Sequence, residues 1–244
     1  MTHDEKVAAV AGVDWFHQFD FGDGIRSAGR AENEPCFQAL SLPEDMRGKT
    51  VLDIGAFDGY HSFECAKRGA RVLATDAWCW QDKPFDFPSN RTFGTQAGFK
   101  LARELLNLRV RDMYCWPHQI TPALLGKHDV VLLLGVIYHL QNMLQGIQCA
   151  WEVTNDVLIV ESYVDQRYGE DKPYAVFYPG SEINNDDTTW WGPNIACIKA
   201  MLGVLNPTPA NIVLTSQWSP GPGTSHLSPP RVIFKAYRNA KTAF

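Results

Sequence analysis

The chain of 244 residues has 45% hydrophobic and 12% aromatic residues, a formal net charge of −5 and a pI near 5.8. This length accommodates one large α/β domain with added segments, but not two independent enzymatic domains. The acidic balance argues against electrostatic binding of nucleic acid, so no nucleic-acid partner is expected.

Seven segments have the composition of strands in a buried sheet, and four have the spacing of helices. In chain order the strands are KTVLDI at the start of 49–59, RVLATDAW (71–78), RVRDMY (109–114), HDVVLLLGVIYHL (128–140), DVLIVESY (156–163), NIVLTSQW (211–218) and RVIFKAYR (231–238). The helices are YHSFECAKRGA (60–70), TQAGFKLARELLNL (95–108), LQGIQCAWEV (144–153) and NIACIKAML (194–202). We expect the first helix to have Asp58 as its cap and to end at Gly69.

The alternation of strands and helices predicts a mostly parallel sheet wrapped by helices. The run at 128–140 is the most apolar and is expected to be a central strand, buried on both faces. Residues 165–193 show no period, and the Pro/Gly/Ser-rich stretch 219–230 is interpreted as a connection within the domain. Ligands of such sheets bind beyond the carboxyl ends of the strands, so the residues that follow each strand form the candidate site.

The turn after the first strand does not fit a dinucleotide. A G-x-G-x-x-G turn would bring backbone amides to a pyrophosphate at a helix N-terminus. Counting from Gly55, the second and third glycine positions are occupied by Phe57 and Tyr60. NAD and FAD are therefore disfavoured as cofactors.

The same turn suits a nucleoside with a short zwitterionic tail. Asp53 on the strand precedes Gly55 and Gly59, and it can either hold the loop or offset an ammonium and a sulfonium charge. Asp76 ends the second strand 21 residues beyond Gly55, close to the offset at which an acid binds ribose hydroxyls. The predicted cofactor is S-adenosyl-L-methionine; the alternative is a tight turn without a ligand. Asp112 either accepts the adenine amino group or is a solvated loop acid.

The predicted cofactor-binding residues all follow or end a strand of the sheet. They are Asp53, Gly55, Ala56, Gly59, Asp76, Ala77, Asp112, Met113, Gly135 and Tyr138.

Three stretches carry a family resemblance: VLDIGAFDGYHSFECAKRGA (51–70), DVVLLLGVIYHLQN (129–142) and VFYPGSEINNDDTTWWGPN (176–194). They resemble the S-adenosylmethionine-dependent methyltransferases of seven-stranded Rossmann-like fold. Together with DWFHQFDFGDGIRSAG (14–29), they resemble more narrowly the branch related to the tRNA wobble-uridine carboxymethyl transferases. The resemblance covers most of residues 13–203.

The resemblance implies an α/β fold with a doubly wound, mostly parallel seven-stranded sheet, flanking helices and an antiparallel last strand. It places Gly55 and its neighbours at the methionine tail, Asp76 at the ribose and Tyr138 beside the cofactor. The RNA-modifying relatives are longer and hold a carboxylated cofactor partly through an arginine in the segment that corresponds to 184–194. That segment contains no Arg or Lys in this chain, so ordinary S-adenosylmethionine is expected.

Two histidines are the predicted catalytic residues. Transfer of a methyl group to a hydroxyl requires a positioned base that removes the proton. His139 follows the central strand beside the expected cofactor, and a neutral imidazole can accept a proton near pH 7. His17 is the second candidate, on an N-terminal segment that could fold over the site. Each histidine could instead have a purely structural role.

Residues 165–193, an insertion after the fifth strand, are expected to form the wall that receives the methyl acceptor. Its aromatic side chains would exclude water, and its amides and acids would bind polar groups of the acceptor. The Gly192-Pro193 pair is expected to turn the chain into the next helix. The predicted substrate residues are Trp15, Phe16, Glu161, Tyr178, Asn184, Asn185, Asp186, Trp190, Trp191 and Asn194. A divalent cation held by His139, Glu161, Asp186 and Asp187 is an alternative that the spacing does not require, so no metal site is predicted.

We interpret the chain as a single methyltransferase domain, 1–244, with 1–45 as an N-terminal lid or cap and 165–193 as the acceptor-side insertion. The expected substrate is a small hydroxylated or aminated metabolite of natural-product or sugar biosynthesis, with O-methylation favoured. The alternatives are a tRNA wobble-uridine modifying transferase and a non-catalytic cofactor-binding protein. The sequence does not decide the oligomeric state, and a homodimer is compatible with it.

The cysteines and the first residues bear on the compartment. The six cysteines are scattered without a C-x-x-C pair, so neither a zinc site nor a disulfide framework is expected. MTHDEKVAAV lacks the basic start and apolar core of a secretion signal. No apolar run approaches the roughly 20 residues of a membrane span, so no membrane partner is expected. A cytoplasmic location is therefore expected.

Overall fold

The structure is a computed structural model that describes residues 1–31, 33–77, 95–183, 185–205, 208, 211–218 and 230–239. Of the predicted features, Asn184 and nearly all of the connection at 219–230 lie outside the described residues. Among the described helices, none has the length and apolar character needed to cross a bilayer.

A seven-stranded sheet forms the centre of the molecule. In chain order its strands are β1 Thr50–Ile54, β2 Arg71–Asp76, β3 Arg111–Tyr114, β4 His128–Leu134, β5 Thr154–Tyr163, β8 Ile212–Trp218 and β9 Arg231–Tyr237. Two further strands, β6 Ala175–Phe177 and β7 Trp191–Pro193, form a separate small sheet. The order in the seven-stranded sheet is β3-β2-β1-β4-β5-β9-β8. The first five of these are parallel, and β9 runs antiparallel to both β5 and β8. The predicted fold class is confirmed.

Alternate residues of the strands point into two separate cores. In β4, Val130 and Leu132 pack with the N-terminal segment, α3 (Tyr60–Lys67) and α4 (Ala97–Leu105). Val131 and Leu133 pack on the opposite face with α6 (Met143–Glu152) and α7 (Ile195–Leu205). Burial on both faces explains why β4 has an unbroken apolar sequence.

The four predicted helices are present as α3, α4, α6 and α7. Three short helices were not predicted: α1 (His3–Ala11), α2 (Asn33–Ala39) and α5 (Pro122–Leu125). Two 3₁₀ turns follow strands β3 and β4, at Pro117–Gln119 and Ile137–His139.

Three local predictions were wrong. Gly59, in the left-handed region at φ 89°, occupies the N-cap position of α3, and Asp58 is turned away toward the N-terminal segment. Gly192 and Pro193 lie within β7 and do not form a turn. The insertion, expected to be irregular, contains the two-stranded antiparallel sheet β6–β7, in which Phe177 is paired with Trp191. The predicted end of α3 near Gly69 is confirmed, since Gly69 follows the helix with φ 93°.

Candidate active site

The glycine turn after β1 is held against the ends of β2 and β4. The amides of Gly55 and Ala56 both donate to the carbonyl of Thr75, at 2.8 and 3.1 Å. Gly55 has φ 77°, and a Cβ atom there would overlap the side chain of Val136. Only glycine therefore fits at this position. Gly55 is half-buried and Ala56 is buried at the carboxyl edge of the sheet.

Asp53, on β1 just before the turn, links the strand to the helix that follows the turn. Its carboxylate is 2% exposed and accepts a hydrogen bond of 2.7 Å from the hydroxyl of Ser62 on α3. Burial raises the pKa of Asp53 to about 6, and the Ser62 bond partly opposes that rise. Of the two predicted roles, this contact supports the one in which Asp53 holds the loop.

Asp76 connects β2 to the glycine turn. It is buried at the end of the strand, and its Oδ2 accepts from the amide of Phe57 at 2.6 Å. Phe57 has φ 53°, a left-handed conformation that side-chain-bearing residues adopt at some cost. This bond therefore keeps the turn and the acid in a fixed relation, and Ala77 is buried directly after them.

Asp112, an acid within β3, is bound by a side chain of α4 and by one from the residue that precedes this helix. Asp112 lies beside Ala74 in the register of β2 and β3, and Met113 lies beside Thr75. The carboxylate of Asp112 accepts from the side chains of Gln96 and Arg103. Asp112 is thus an ion-paired residue at the edge of the sheet, and not a loop acid surrounded by water alone.

Asp58 ties the N-terminal segment to the glycine turn. Its Oδ2 accepts from the amides of Phe16 and His17 at 3.0 and 2.9 Å, and its Oδ1 is paired with Nδ1 of His17. With the hydrogen on Nδ1, the ring of His17 has its lone pair on Nε2. The N-terminal segment is therefore attached to the glycine turn through Asp58, and His17 lies beside that turn.

The two aromatic neighbours of His17 have different positions. Trp15 is buried; its indole donates to the carbonyl of Val10 at 2.8 Å, and its ring packs on Phe19, so it belongs to the core and has no donor left for a substrate. Phe16 is 43% exposed, and its ring meets that of Phe57 edge-on at 5.6 Å. Phe16 thus remains a candidate for contact with a ligand at the turn.

His61 is a polar residue of this region that sequence analysis missed. It is the second residue of α3, and its ring lies against His17, Tyr60 and Phe37. In the described part of the chain its buried Nδ1 has no hydrogen-bond partner. Burial lowers the pKa of His61 to about 3, so the ring is neutral. Its position beside a glycine turn was the signal that could have identified it.

A partly buried ion pair lies beyond the end of β4. Arg231 of β9 donates to both carboxylate oxygens of Glu161, with Nη2–Oε2 at 2.9 Å, and to the hydroxyl of Tyr138 at 3.1 Å. These side chains lie next to Gly135. Sequence analysis predicted Tyr138 and Glu161 here, but missed Arg231 because it is 70 residues from Glu161.

His139 contacts the insertion. Its Nδ1 lies 2.7 Å from the carbonyl oxygen of Thr188 and 3.1 Å from the hydroxyl of the same residue. The Thr188 hydroxyl donates to Asp186 at 2.6 Å. Burial lowers the pKa of His139, while the charge of Asp186 and the Thr188 bond raise it in part.

Two of the predicted substrate residues, Tyr178 and Asn194, use their polar side-chain atoms in hydrogen bonds within the protein. The hydroxyl of Tyr178 is bonded to Asp165 and lies under Gly192, where a Cβ would come within 2.7 Å of it. Asn194 is fully buried; its Oδ1 accepts from the amides of Cys197 and Tyr174, and its Nδ2 donates to two carbonyls. Asn194 is thus the N-cap of α7 and has no polar group left for a substrate.

The tryptophan pair spans the start of β7. The amide of Trp190 donates to the carbonyl of Tyr138 at 2.9 Å, which brings this part of the insertion to the end of β4. Trp191 packs against Phe177, whose ring is 56% exposed. Asn185 is exposed and has φ 53°. Where the chain is described, no three His, Cys, Asp or Glu side chains converge as a metal site would require.

No protein-family model matches the chain. A curated relative, the tRNA U34 carboxymethyltransferase of Desulfotalea psychrophila (strain LSv54 / DSM 12343), is 26% identical over 181 residues, or 73% of this chain. The chain spans about half, 51%, of that relative's length.

Solved structures share the fold over most of the chain. The N-terminal domain of EvdMO1, determined in the presence of S-adenosylhomocysteine (SAH) and D-fucose, is 17% identical with a TM-score of 0.65, and 97% of each chain is covered. Magnesium protoporphyrin IX methyltransferase from Synechocystis PCC 6803, with bound S-adenosylmethionine, is 17% identical with a TM-score of 0.56, covering 84% of this chain and 77% of that one. The chain therefore has the Rossmann-like fold of the S-adenosylmethionine-dependent methyltransferases, as predicted.

Proposed function

We propose that the protein is an S-adenosylmethionine-dependent methyltransferase that modifies a small hydroxylated or aminated metabolite, with O-methylation favoured. One observation carries the proposal: the glycine turn and the buried Asp76 are joined at the carboxyl edge of the sheet by the 2.6 Å bond from the Phe57 amide. Structures of the same fold hold S-adenosylmethionine or SAH.

The residues around this edge fit the cofactor. The backbone of Gly55 and Ala56 would face the methionine tail, with Gly59 beginning the helix behind it. Asp76 would accept the ribose hydroxyls, and Ala77, Asp112 and Met113 would border the adenine. Gly135 and Tyr138 would line the opposite side, next to the methyl group that the bound cofactor would supply.

The acceptor side offers a base and an aromatic wall. His139 is neutral near pH 7 because burial lowers its pKa, so it can remove a hydroxyl proton. His17, oriented by Asp58, is the second candidate for this role. Phe16, Trp190 and Trp191 would cover the acceptor and exclude water, while Asn185 and Asp186 would lie at its polar end. The fold neighbours named with D-fucose and a protoporphyrin support a small-molecule acceptor.

An ordinary cofactor is favoured over a carboxylated one. Arg231 is the cation next to Tyr138, and both carboxylate oxygens of Glu161 already accept hydrogen bonds from it. Residues 184–194 contribute no Arg or Lys. An additional carboxylate would therefore meet a neutralised pair, which offers it little attraction.

Modification of tRNA is the second candidate, because the curated relative is a tRNA U34 carboxymethyltransferase. That relative is 26% identical, and the chain spans only half of it. The two candidates share the cofactor site and differ in the acceptor.

The proposal is tested by calorimetric titration of the protein with S-adenosylmethionine and SAH. Wild type is expected to bind in the micromolar range, and Asp76→Ala to lose about 100-fold in affinity, since two charge-assisted hydrogen bonds contribute about 3 kcal/mol. Asp76→Asn retains an acceptor for the Phe57 amide and separates loss of charge from disorder of the turn. Asp45→Ala, which removes an exposed ion pair with Arg47, is the matched control. Absence of binding by wild type, or equal affinity in Asp76→Ala, would refute the proposal.

A further inference from the structure

A chain of hydrogen bonds connects the insertion to His139. Asp186 Oδ1 accepts from both the hydroxyl and the amide of Thr188, at 2.6 and 2.9 Å. The carbonyl and the hydroxyl oxygen of Thr188 lie 2.7 and 3.1 Å from Nδ1 of His139. Thr188 is 5% exposed, and its partners Asp186 and His139 are half-buried.

We propose that Thr188 is a positioning residue that links Asp186 to His139, so that the three residues act as a relay for proton removal at Nε2 of His139. The inference rests on the proposed function for its purpose, but its geometry can be tested without an acceptor. Sequence analysis placed Asp186 at the substrate and did not consider Thr188.

The direction of each hydrogen bond follows from chemistry. A carbonyl oxygen only accepts, so Nδ1 of His139 must donate to Thr188 and carry the ring hydrogen. The Thr188 hydroxyl gives its hydrogen to Asp186, which leaves its oxygen as a further acceptor for Nδ1. The lone pair of the neutral ring is therefore on Nε2, and a proton taken from an acceptor hydroxyl would bind there.

The relay stabilises the protonated ring once it forms. The charged and titratable groups near His139 are Asp186 on the insertion, Arg231 on β9 and Tyr138 on the same turn, with ring centroids 4.4 Å apart for Tyr138 and His139. Glu161 offsets Arg231 through their ion pair. Burial and Arg231 lower the pKa of His139 and so oppose the imidazolium, while the charge of Asp186 and the Thr188 bond favour it.

The relay also depends on how the insertion is seated. The amide of Trp190, two residues beyond Thr188, donates to the carbonyl of Tyr138 at 2.9 Å. Segment 186–190 is therefore attached to the turn after β4 at two neighbouring residues, Tyr138 and His139. The Nδ1–H tautomer is selected only when the insertion is in this place.

The test is nuclear magnetic resonance of the full chain labelled with ¹⁵N in its seven histidines. Long-range ¹H–¹⁵N correlations report the tautomer of each ring and its titration midpoint, and His139→Gln assigns the signal. The relay predicts an Nδ1–H tautomer in wild type. It also predicts a lower midpoint in Thr188→Val and in Asp186→Asn, because each variant removes the charge or the hydroxyl that transmits it.

Matched variants separate the relay from general disturbance. Thr188→Ser keeps the hydroxyl and should restore the wild-type midpoint, while Thr189→Val makes the same change one residue away and should have no effect. The double variant Asp186→Asn, Thr188→Val should shift no further than either single variant. Asp186→Asn keeps an oxygen for the Thr188 amide, so the test survives even if Thr188→Val does not fold.

An Nε2–H tautomer in wild type, an unchanged midpoint in Asp186→Asn, or additive shifts in the double variant would overturn the relay. None of these measurements needs cofactor or acceptor, so failure of the relay is distinct from failure of the proposed function. With an acceptor in hand, Thr188→Val should lower kcat about tenfold at constant KM.

Discussion

Asp53 is a buried carboxylate that binds the Ser62 hydroxyl and so helps to fix the glycine turn. Placing this acid under the glycine turn costs solvation, and the Ser62 hydroxyl offsets only part of the cost, so the pKa rises to about 6. In return, the hydrogen bond attaches β1 to α3 where the chain turns sharply. The acid stabilises the turn geometry while lowering the stability of the folded protein at neutral pH.

This reasoning predicts the effect of Asp53→Asn on stability at different pH values. The unfolded carboxyl has a pKa near 3.9, so between pH 4 and 6 the folded state retains a proton that the unfolded state has lost. Stability therefore falls as the pH rises through that window. Asparagine can accept from Ser62 without this loss, so the advantage of the variant over wild type should grow by up to about 3 kcal/mol from pH 4 to pH 7. Urea unfolding at each pH measures it, with the exposed Asp45→Asn as control. Parallel pH curves for Asp53→Asn and wild type would show that Asp53 ionises normally.

Single residues also show where sequence analysis reached its limit. Gly55, Asp53 and Asp76 were recognisable because their roles depend on order along a strand and turn. The roles of Asn194, Tyr178 and Thr188 depend on partners brought together by folding: Thr188 meets His139 across 49 residues, and Asn194 caps a helix while holding the insertion at Gly169 and Lys172. Residue type alone could not tell an amide that binds a substrate from one that holds its own chain.

At the scale of elements, the carboxylate of Asp58 makes three of the polar contacts that attach the N-terminal segment to the turn before α3. Asp58 accepts from three donors, which are the amides of Phe16 and His17 and the ring of His17. If its carboxylate capped α3, it would not be free to make these contacts. The segment is thereby coupled to the glycine turn, which begins three residues before Asp58. Loss of Asp58 should release the segment without removing the sheet.

Limited proteolysis tests this attachment. In Asp58→Ala, trypsin should cut after Arg26 and Arg30 roughly tenfold faster or more, because losing these hydrogen bonds costs about 2 kcal/mol of local stability. Asp58→Asn retains an acceptor and should be intermediate. Asp20→Ala, which breaks the exposed ion pair with Arg26, is the control and should resemble wild type. Equal cutting of Asp58→Ala and wild type would mean that other contacts hold the segment.

The strands divide into those that a sequence pattern can identify and those that it cannot. β4 and β5 were predicted because burial on two faces requires a continuous apolar run. β6 and β7 have three residues each, too few for any period, and their pairing of Phe177 with Trp191 is made across the insertion. The residue before β7, Trp190, is bonded to the distant Tyr138, a contact that no local pattern reveals.

The whole molecule carries a net negative charge, which bears on the tRNA candidate. Proteins that bind tRNA by phosphate contacts lose affinity steeply as salt displaces them. With a charge of −5, this chain should bind bulk tRNA weakly at 50 mM salt and show little further loss at 200 mM. Fluorescence polarisation with labelled tRNA, with and without SAH, measures both. A fall in affinity of about 10³ between these salt concentrations would favour the tRNA candidate over a metabolite.

β9 lies between β5 and β8 in the sheet but is the last of the three strands to be translated, so β5 cannot pair with it early in synthesis. Glu161 is translated 70 residues before Arg231, its ion-pair partner. At about 5–20 residues per second this delay lasts roughly 4 to 14 s. During that interval we expect one edge of β5 to lack its neighbour β9, and Glu161 to lack its ion-pair partner. A chaperone that shields this edge should therefore raise the yield of active protein more than one that acts only after release.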